Sequence, residues 1–534
     1  MRSSIRLFFV LGCWGPACGA EGEDTGGGGY PDADADADGD YGGDSDIDAD
    51  SDADADADIP PEVEVEADFR TPQAGRRYVY VADTSRDTVA VIDSRSLAIE
   101  IVEVGDAPFV LASIPGREAA LVLYETMAQV GILETVNGET TISRLDVQPG
   151  ANRIEVAPDG RHAVVLFDPA RAVDPGASEG SYQDVTIIRV TDDPASIRLT
   201  VGFHPTDVLF ADGGEQAFIV TEDGLHRIVL DEVSEPGVAP TLDIGPAPDD
   251  PSTREVVVAP GGEFALVRQP DLAAVSVVDV SARRRTEVAL SSVPTDLDVS
   301  DDGSVAIAVL RDESTVAILP LPDVADDPES IRVIPIEGEL FGQAVHAAGS
   351  SRLVLFTTAV PQESLVVLDL DSEDYYPVRL RKTVRTVGIA PGGLTAIVIH
   401  DKLPGDPRTA ADLDERIDRE YGYSLVDLDS LFVRLQTTPT NPEPFFLWED
   451  GSHAFLALRD DFAGVRAVEA VDLGAFQVNT VHLPSPPFAL GGVADTNQAF
   501  VAQEHKSGRI TFIDIDSLAT QTVTGFELGA EVME

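Results

Sequence analysis

A strand–turn–strand unit recurs ten times along the 534 residues, and this repetition constrains the fold more than any single residue does. The most regular part of the unit is a short apolar strand rich in alanine, valine, isoleucine and leucine. Its ten copies start 41 to 58 residues apart, at Tyr78, Ala120, Ala163, Ala217, Ala265, Ala306, Leu353, Ala396, Ala454 and Ala499. A unit of this length holds four short strands, which is typical of a propeller blade.

Turn residues separate the strands of each unit. Nine of the ten copies follow a turn built from Gly, Pro, Asp or Asn, as in Pro158-Asp-Gly160. Such residues supply the dihedral angles of tight turns, so each one marks a β-hairpin. A third strand follows and often ends in an apolar residue plus aspartate, at Asp93, Asp231, Asp279, Asp369, Asp427, Asp472 and Asp514. We therefore predict an all-β fold, a β-propeller of about ten four-stranded repeats in one ring or in two smaller rings.

The amino-acid sequence of the first unit resembles a known repeat. Tyr80-Val-Ala-Asp83, Thr88-Val-Ala-Val-Ile-Asp93 and Val104-Gly-Asp-Ala-Pro108 are similar to the YVTN-type repeats of lactonase-like β-propellers. At the level of repeat pattern, the resemblance covers residues 76 to about 532 and implies the propeller fold. Related propellers serve as enzymes, cell-surface proteins and binding scaffolds, so the resemblance does not select a function.

The two ends of the repeat region predict how the ring closes. The first unit begins at its second strand, Tyr78, and shows no clear inner strand of its own. The chain ends with residues 522–532, which match the passage from outer strand to next inner strand at residues 102–111. We therefore predict that residues 528–532 complete the first blade next to residues 78–82. Such closure protects sheet edges that would otherwise be open to aggregation.

The charge of the chain is strongly negative, with a formal value of -59 at pH 7. Residues 21–68 hold twenty acidic residues and no Lys or Arg, which leaves 75 acidic and 34 basic residues, a net charge of -41, from Phe69 onward. A field of this sign repels phosphate backbones and anionic lipid surfaces. We expect no nucleic-acid binding, and membrane contact only through a lipid anchor.

The N-terminus has the pattern of a targeting segment. Arg2 and Arg6 precede an apolar stretch, residues 7–12, which is typical of a signal peptide. Val10-Leu-Gly-Cys13 resembles the bacterial lipobox, whose cysteine is lipidated, although six apolar residues are fewer than the usual roughly 7 to 15. We predict a lipoprotein-type signal over residues 1–20 with Cys13 as the lipidated residue. Cys18 as acceptor, ordinary cleavage after Ala20 and no cleavage are the alternatives.

Residues 21–68 form a low-complexity linker in which aspartate alternates with small residues. Self-repelling carboxylates without a hydrophobic set are expected to stay extended and disordered. Calcium binding is the alternative, since residues 34–39 match the start of a D-x-D-x-D-G loop. That loop requires an acidic residue at its twelfth position, which here is Ser45, so we favour a solvated spacer. Cys13 and Cys18 are the only cysteines, so we expect neither disulfides nor thiolate metal ligands in residues 69–534.

One irregular insertion, residues 401–423, interrupts the repeats. Its segment 409–421 has helix-forming residues, with Leu413, Ile417 and Tyr421 spaced for one helix face. Gly422 is a natural stop. The insertion is either a surface decoration held by its apolar stripe or a lid or docking element.

In a four-stranded blade with strands a to d from inside to outside, the b–c and d–a connections share one rim. Ligand sites can form where these loops converge. From the polar residues at the predicted b–c ends we select Arg311, His400, Lys402, Arg459, Glu504, His505 and Arg509 as candidate ligand-binding residues. His400 and His505 are the only histidines at these ends, and a catalytic or metal role requires a carboxylate beside one of them.

Signatures of several enzyme classes do not occur in the sequence. It contains no G-x-S-x-G, H-E-x-x-H or G-x-x-x-x-G-K-[ST] motif, so we name no catalytic residue, metal site or cofactor. We expect a non-enzymatic, monomeric binding scaffold for an envelope protein, a glycan or a small ligand. The predicted location is the bacterial cell envelope, lipid-anchored at the outer membrane or cell surface, or else periplasmic or secreted. The alternative is a lactonase-like or other hydrolytic propeller.

Overall fold

The computed structural model describes residues 71–124, 126–171 and 181–526, which belong to one compact unit. They form ten sheets, each built on four antiparallel strands and one of them with a fifth strand, arranged as the blades of one ring. The predicted ten-bladed all-β propeller is therefore confirmed, and the alternative of two smaller rings is excluded. We label the strands of each blade a to d in chain order, with strand a innermost.

The ten blades follow one another along the chain. Blades 1 to 5 consist of Gln73–Ala74, Tyr78–Asp83, Thr88–Asp93 and Ile99–Glu103; Pro108–Ser113, Ala119–Tyr124, Gln129–Val136 and Glu139–Asp146; Arg153–Val156, His162–Leu166, Asp184–Arg189 and Ala195–Thr200; Asp207–Phe210, Gln216–Thr221, Gly224–Val229 and Thr241–Leu242; and Glu255–Val258, Phe264–Arg268, Ala274–Asp279 and Arg284–Ala289. Blades 6 to 10 consist of Asp296–Val299, Val305–Leu310, Thr315–Pro320 and Arg332–Pro335; Gln343–His346, Arg352–Phe356, Ser364–Asp369 and Tyr375–Arg379; Val384–Ile389, Thr395–His400, Tyr421–Asp427 and Val433–Thr438; Phe445–Leu447, His453–Asp460, Val465–Asp472 and Gln477–His482; and Pro487–Val493, Gln498–Gln503, Arg509–Asp514 and Thr520–Thr524.

Short elements outside the blades decorate the connections. Two α-helices occur in the described residues, Asp323–Asp326 and Leu413–Arg419. The 3-10 helices are Pro169–Arg171, Asp212–Gly214, Leu230–Glu232, Pro251–Thr253, Arg311–Glu313, Pro328–Ser330, Pro407–Thr409 and Ala494–Thr496. One extra strand, Gly237–Val238, leaves blade 4 and pairs in parallel with strand d of blade 3. It covers part of an outer sheet edge that would otherwise be free to pair with another chain.

The hydrophobic core lies between neighbouring blades. Strand b is buried along its whole length in several blades, as in Tyr78–Asp83 and Ala119–Tyr124. Both faces of such a strand pack on other sheets, which explains its continuous apolar run where a half-exposed strand would alternate. One cluster joins Val277 of blade 5 to Ala308 of blade 6, and the same arrangement repeats around the ring. Burial of each such Val, Ile or Leu side chain stabilises the folded state by roughly 1.5 to 3 kcal/mol.

Blade 10 packs directly against blade 1 and closes the ring. The Arg76 guanidinium donates to the Asp495 carboxylate at 2.7 Å, and the Asp495 backbone N–H donates to the Arg76 carbonyl at 2.8 Å. Val79 and Val81 of blade 1 share a core cluster with Phe500 of blade 10. Because these contacts join residues more than four hundred positions apart, closure is a tertiary event that the repeat pattern alone does not display.

The inner strand of blade 1 differs from our prediction. The first unit does have an inner strand of its own, Gln73–Ala74, which pairs with Tyr80 and Val79. The expectation that it lacks one was wrong, because two residues are too few to be recognised as a strand in the sequence. The predicted closing strand, residues 528–532, lies outside the described residues and stays a prediction.

The a–b turns of successive blades pack on each other. Gly160 has a left-handed backbone with φ of +65°, and a Cβ atom there would lie 2.3 Å from the carbonyl oxygen of Pro115 in the same turn of the preceding blade. Gly451 makes the same approach to Pro391, at 2.1 Å. Glycine is thus required twice at these turns, for its backbone angle and for its lack of a side chain.

The aspartate that ends strand c has a structural role at the c–d turn. The Asp93 carboxylate accepts the backbone N–H of Arg95, and the Asp514 carboxylate accepts the N–H of Ser517. Asp369, Asp427 and Asp472 make equivalent bonds to residues two or three positions ahead. These are Asx turns, which explain why the repeat carries an acid at this position.

The insertion in blade 8 contains a shorter helix than the sequence suggested. The helix covers Leu413–Arg419, and Tyr421 is already the first residue of strand c. Leu413 is 69% exposed, so the predicted apolar stripe does not pack as a unit. The Asp412 side chain accepts the Glu415 backbone N–H at 2.9 Å and begins the helix as an N-cap. The pairing of strand c with strand b at Gly422 and His400 overrides helix propensity at Tyr421.

A buried lysine holds the C-terminal end of this helix. The Lys382 ammonium, in a residue only 1% exposed, donates to the carbonyl oxygens of Ile417 at 2.7 Å, Glu420 at 2.9 Å and Asp418 at 3.4 Å. The last carbonyls of a helix lack partners within the helix, and a cation there also complements the helix dipole. Lys382 therefore fixes the insertion to the rim of blade 8.

Candidate ligand-binding rim

Strand direction alternates within each blade, so the b–c and d–a connections meet on one rim, which we call the b–c rim. At blades 3 and 4 these loops are joined by hydrogen bonds. The His204 N–H donates to the Tyr182 carbonyl at 2.7 Å, and the Glu222 N–H donates to the Phe203 carbonyl at 3.0 Å. Three loops of two blades are therefore joined into one surface, and such cross-linking favours a preorganised binding site.

The structure places His400 inside the protein. Its side chain is fully buried at the end of strand b, where Nδ1 lies 3.1 Å from the Thr383 carbonyl and Nε2 lies 2.7 Å from the Ser424 hydroxyl. Since a carbonyl only accepts, Nδ1 carries the proton and Nε2 accepts from the serine. Burial lowers the pKa of His400 to about 4. The ring is a neutral structural link between strands b and c, and Ser424 is equally inaccessible.

Lys402 lies in a shallow groove of about 280 Å³ formed by the insertion. Its ammonium sits 4.8 Å from the centre of the Tyr421 ring, and Arg385 forms the opposite wall, paired with Glu443 at 3.0 Å. Leu403, which also lines the groove, is 49% exposed. The groove is smaller than most sites that enclose a drug-sized ligand, which span roughly 300 to 1,000 Å³.

The structure brings Arg459 and Glu504 together across blades 9 and 10. Arg459 donates to both carboxylate oxygens of Glu504, at 2.5 and 2.9 Å, and also to Asp461 at 2.7 Å. Fork-shaped pairing of this kind is specific in geometry. The guanidinium is thus already occupied by two carboxylates of its own chain.

The remaining predicted residues do not converge. Arg509 donates to the hydroxyls of Thr524 at 3.0 Å and Ser485 at 3.1 Å, within the polar end of blade 10. The Nδ1 atom of His505 accepts the Ser507 N–H at 3.2 Å in the b–c turn. Arg311 lies four blades away, with its nearest carboxylate, Asp312, at 3.7 Å. The seven predicted residues therefore lie on blades 6, 8, 9 and 10 and form no common site, although Arg459 and Glu504 pair across two blades.

An aromatic cluster that was not predicted from the sequence lies on the b–c rim of blades 3 and 4. The rings of Tyr182 and Phe203 are nearly parallel, with centroids 6.0 Å apart and an interplanar angle of 24°, and Phe167 packs edge-on behind Tyr182 at 5.4 Å. Tyr182 is 37% and Phe203 44% exposed, whereas Phe167 is buried. We call Tyr182 and Phe203 the aromatic platform. Each aromatic residue is visible in the sequence at a strand end, but their proximity is not.

Polar contacts around the platform hold it in place. The Phe203 N–H donates to the Asp223 carboxylate at 2.7 Å, and the Gly202 N–H donates to the Nε2 atom of buried His226 at 2.9 Å. His204 has a left-handed backbone, with φ of 54°, and its Nδ1 atom lies 2.9 Å from the Glu222 carboxylate. A left-handed histidine costs energy and persists only where its surroundings fix it. His204 is a rim histidine beside a carboxylate, in a d–a connection rather than at a b–c end.

Arg254 adds a buried positive charge beneath this surface. It is 7% exposed and donates from one terminal nitrogen to the Thr221 carbonyl at 3.1 Å. Its Nε and second terminal nitrogen have no hydrogen-bond partner among the described residues. Burial lowers the pKa of Arg254, and the Glu222 carboxylate opposes this change. Arg254 thus supports the Thr221–Glu222 turn from within.

Exposed apolar side chains are distributed unevenly over the surface. Seven of the thirteen large exposed ones in the described residues lie on the b–c rim: Tyr182, Phe203, Leu272, Val360, Leu403, Leu413 and Phe462. Three lie on the opposite rim, and three on outer strands. Phe462 is fully exposed in a turn fixed by N–H bonds to the Asp460 carboxylate. Tyr182 and Phe203 are in ring contact with each other, and adjoining exposed apolar side chains mark candidate interaction surfaces.

Carboxylates of strand a and the following turn of blade 6 link this blade to the backbone of blade 7. Asp296 accepts the Ala344 N–H at 2.7 Å, Asp298 accepts the His346 N–H at 3.3 Å and Asp301 accepts the Gly349 N–H at 2.5 Å. Burial, and then the nearby Glu255 carboxylate, raise the pKa of Asp296 to about 7. Burial also raises the pKa of Glu255, although Arg268 donates to it at 2.6 Å. Asp296, Asp298 and Asp301 therefore connect two blades, and the raised pKa of Asp296 places its titration near neutral pH.

Within residues 71–124, 126–171 and 181–526, no group of three or more His, Cys, Asp or Glu residues is arranged to hold a metal ion. No helix in these same ranges is long and apolar enough to cross a bilayer.

Comparison with known proteins finds solved structures that resemble this chain at low sequence identity. No protein-family model matches the chain, and no curated protein matches it. Solved structures that match include Kuenenia stuttgartiensis hydrazine synthase, at 14% identity and a TM-score of 0.35 over 60% of this chain and 95% of that one. The dihydro-heme d1 dehydrogenase NirN, in complex with DHE, matches at 13% identity and a TM-score of 0.40, over 77% of this chain and 74% of that one. Apo AztD from Citrobacter koseri matches at 12% identity and a TM-score of 0.38, over 74% of this chain and 92% of that one. The chain is a ten-bladed β-propeller.

Proposed function

We propose that the protein is a non-enzymatic, envelope-tethered scaffold that binds a protein, a glycan or a small ligand through its b–c rim. The observation that carries this proposal is the concentration of exposed apolar side chains on that rim, where connecting loops of different blades are also joined by hydrogen bonds. Water-exposed aromatic and aliphatic side chains gain free energy when a partner covers them. Loops fixed beforehand lose little entropy on binding.

The tethered part of the proposal rests on the sequence. The YVTN-type pattern, the lipobox-like Cys13 with Cys18 as the alternative, and the acidic linker 21–68 together suit a monomeric propeller held away from a membrane. A linker of repelling carboxylates would be extended.

A pull-down from intact envelopes tests this function. The full-length protein is compared with a rim variant, Phe462→Ser/Leu413→Ser, and with a control on the opposite rim, Phe432→Ser/Leu394→Ser, whose side chains are 59% and 58% exposed. We expect the rim variant to lose the retained partner and the control to keep it. Equal retention by both variants would contradict binding through the b–c rim.

A hydrolytic propeller is the second candidate, and one observation favours it. His204 and Glu222 place an imidazole beside a carboxylate, at 2.9 Å, on an exposed rim, and such a pair can act as a general base. Hydrolysis of a lactone or ester by the purified protein, abolished in His204→Gln, would support this function over the scaffold. Activity unchanged in that variant would exclude this pair as its source.

A further inference from the structure

The loops around the aromatic platform are acidic, and so is the chain as a whole. The described rim loops around it, residues 167–171, 181–184, 202–206 and 221–224, carry four carboxylates and one arginine: Asp168, Asp184, Glu222, Asp223 and Arg171. The chain from residue 69 onward has a net charge of -41. Arg254 is buried and faces the Thr221 carbonyl, so it is not presented to a ligand.

From this combination we propose that the aromatic platform docks a basic protein segment, with arginine side chains stacking on Tyr182 and Phe203. This inference rests on the proposed binding function and names its partner. A guanidinium is attracted both to the negative face of an aromatic ring and to nearby carboxylates. Nucleic acids and anionic glycans carry the wrong charge for this surface.

The geometry suits planar cations in particular. Tyr182 and Phe203 stack within 24° of parallel while staying 37% and 44% exposed, and Phe167 contacts Tyr182 with its ring nearly perpendicular. The backbone hydrogen bonds from His204 to Tyr182 and from Glu222 to Phe203 join the main-chain segments that carry both rings. The Glu222 and Asp223 side chains lie in the adjoining turn, where they can pair with the cation that has stacked.

Binding of a poly-arginine peptide to the full-length protein tests the inference. Measurements at about 0.3 M salt reduce the diffuse attraction of the peptide to the acidic linker. The Debye length is then shorter than about 8 Å, so charges farther apart than this are largely screened from each other. We expect Tyr182→Ala and Phe203→Ala each to weaken binding roughly threefold and the double variant on the order of tenfold. Phe432→Ala, the opposite-rim control, should bind as the unaltered protein does. A poly-lysine peptide of equal length should bind more weakly, since lysine lacks a planar head.

Two results would overturn the inference. If the double variant binds poly-arginine as tightly as the unaltered protein, the attraction is only electrostatic and the platform is not the site. If a neutral oligosaccharide such as maltohexaose binds and the double variant loses it, the platform is a carbohydrate site. Either result leaves the envelope pull-down, which uses Phe462 and Leu413, as a separate measure of the proposed function. A negative pull-down with a positive peptide result would contradict the scaffold and keep the docking chemistry.

Discussion

Asp296 makes the stability of the ring depend on pH in a direction opposite to that of an ordinary surface acid. Its pKa is about 7 in the folded protein against 3.8 for a free side chain. Between these values the folded chain keeps a proton that the unfolded chain has lost, so the free energy of unfolding falls as pH rises. At 1.36 kcal/mol for each pH unit, the full cost above pH 7 is at most about 4 kcal/mol, and about 3 kcal/mol of it develops between about pH 5 and pH 8.

Substitution of Asp296 by asparagine removes this cost and keeps an acceptor for the Ala344 N–H. We compare the free energy of unfolding of Asp296→Asn with that of the unaltered protein at each pH. The advantage of the variant should be larger by roughly 3 kcal/mol at about pH 8 than at about pH 5. Urea unfolding followed by the fluorescence of Trp448, which is 5% exposed, measures this difference.

Asp302 provides the control for this experiment. Hydrogen bonds from Ser304 lower its pKa, so the stability that it contributes is present at neutral pH and is lost in acid. Asp302→Asn should therefore lose stability at about pH 8. An Asp296→Asn variant whose stability advantage is the same at both pH values would refute the assignment of a raised pKa to this carboxyl.

Three further predictions concern the insertion, the turns and the anchor. Lys382→Met removes the donor to three helix carbonyls, so we expect a local loss of about 2 to 3 kcal/mol, measured as faster hydrogen exchange and proteolysis in residues 404–420, with Lys382→Arg partly restoring protection. Gly160→Ala should lower stability by about 1 to 3 kcal/mol more than Gly116→Ala. Both glycines have a left-handed backbone, but only at Gly160 would the added Cβ meet a backbone oxygen, that of Pro115, at 2.3 Å. Equal losses of stability in thermal unfolding would show that the clash relaxes. Cys13→Ser should move the protein from the membrane to the soluble fraction while Cys18→Ser does not, and the reverse result would make Cys18 the lipidated residue.

Repeat number, strand order and turn positions could be predicted from the sequence because they follow from local patterns. Strand b is buried on both faces, so its apolar run is continuous and easily recognised. The repeated aspartate after strand c caps its own turn within three residues. The inner strand Gln73–Ala74 escaped notice because two residues carry no pattern. Helix propensity predicted that the insertion helix reaches Tyr421, but in the structure Tyr421 belongs to strand c and pairs with strand d.

The candidate site depended far more on the tertiary structure. The sequence places His400 at a strand end, but only the fold shows that Thr383 and Ser424 enclose it. The contact between Arg459 and Glu504 spans two blades, and the aromatic platform joins loops of two blades as well.

By itself, the sequence determined that the chain is an acidic, repeated four-stranded β structure, because hydrophobic periodicity, turn residues and charge act over a few neighbouring positions. Only the tertiary structure decided that ten blades share one ring, which histidine is buried and which rim exposes apolar side chains. The physical reason is that these properties arise from contacts between residues far apart in the chain, and such contacts depend on how sheets pack around a common axis.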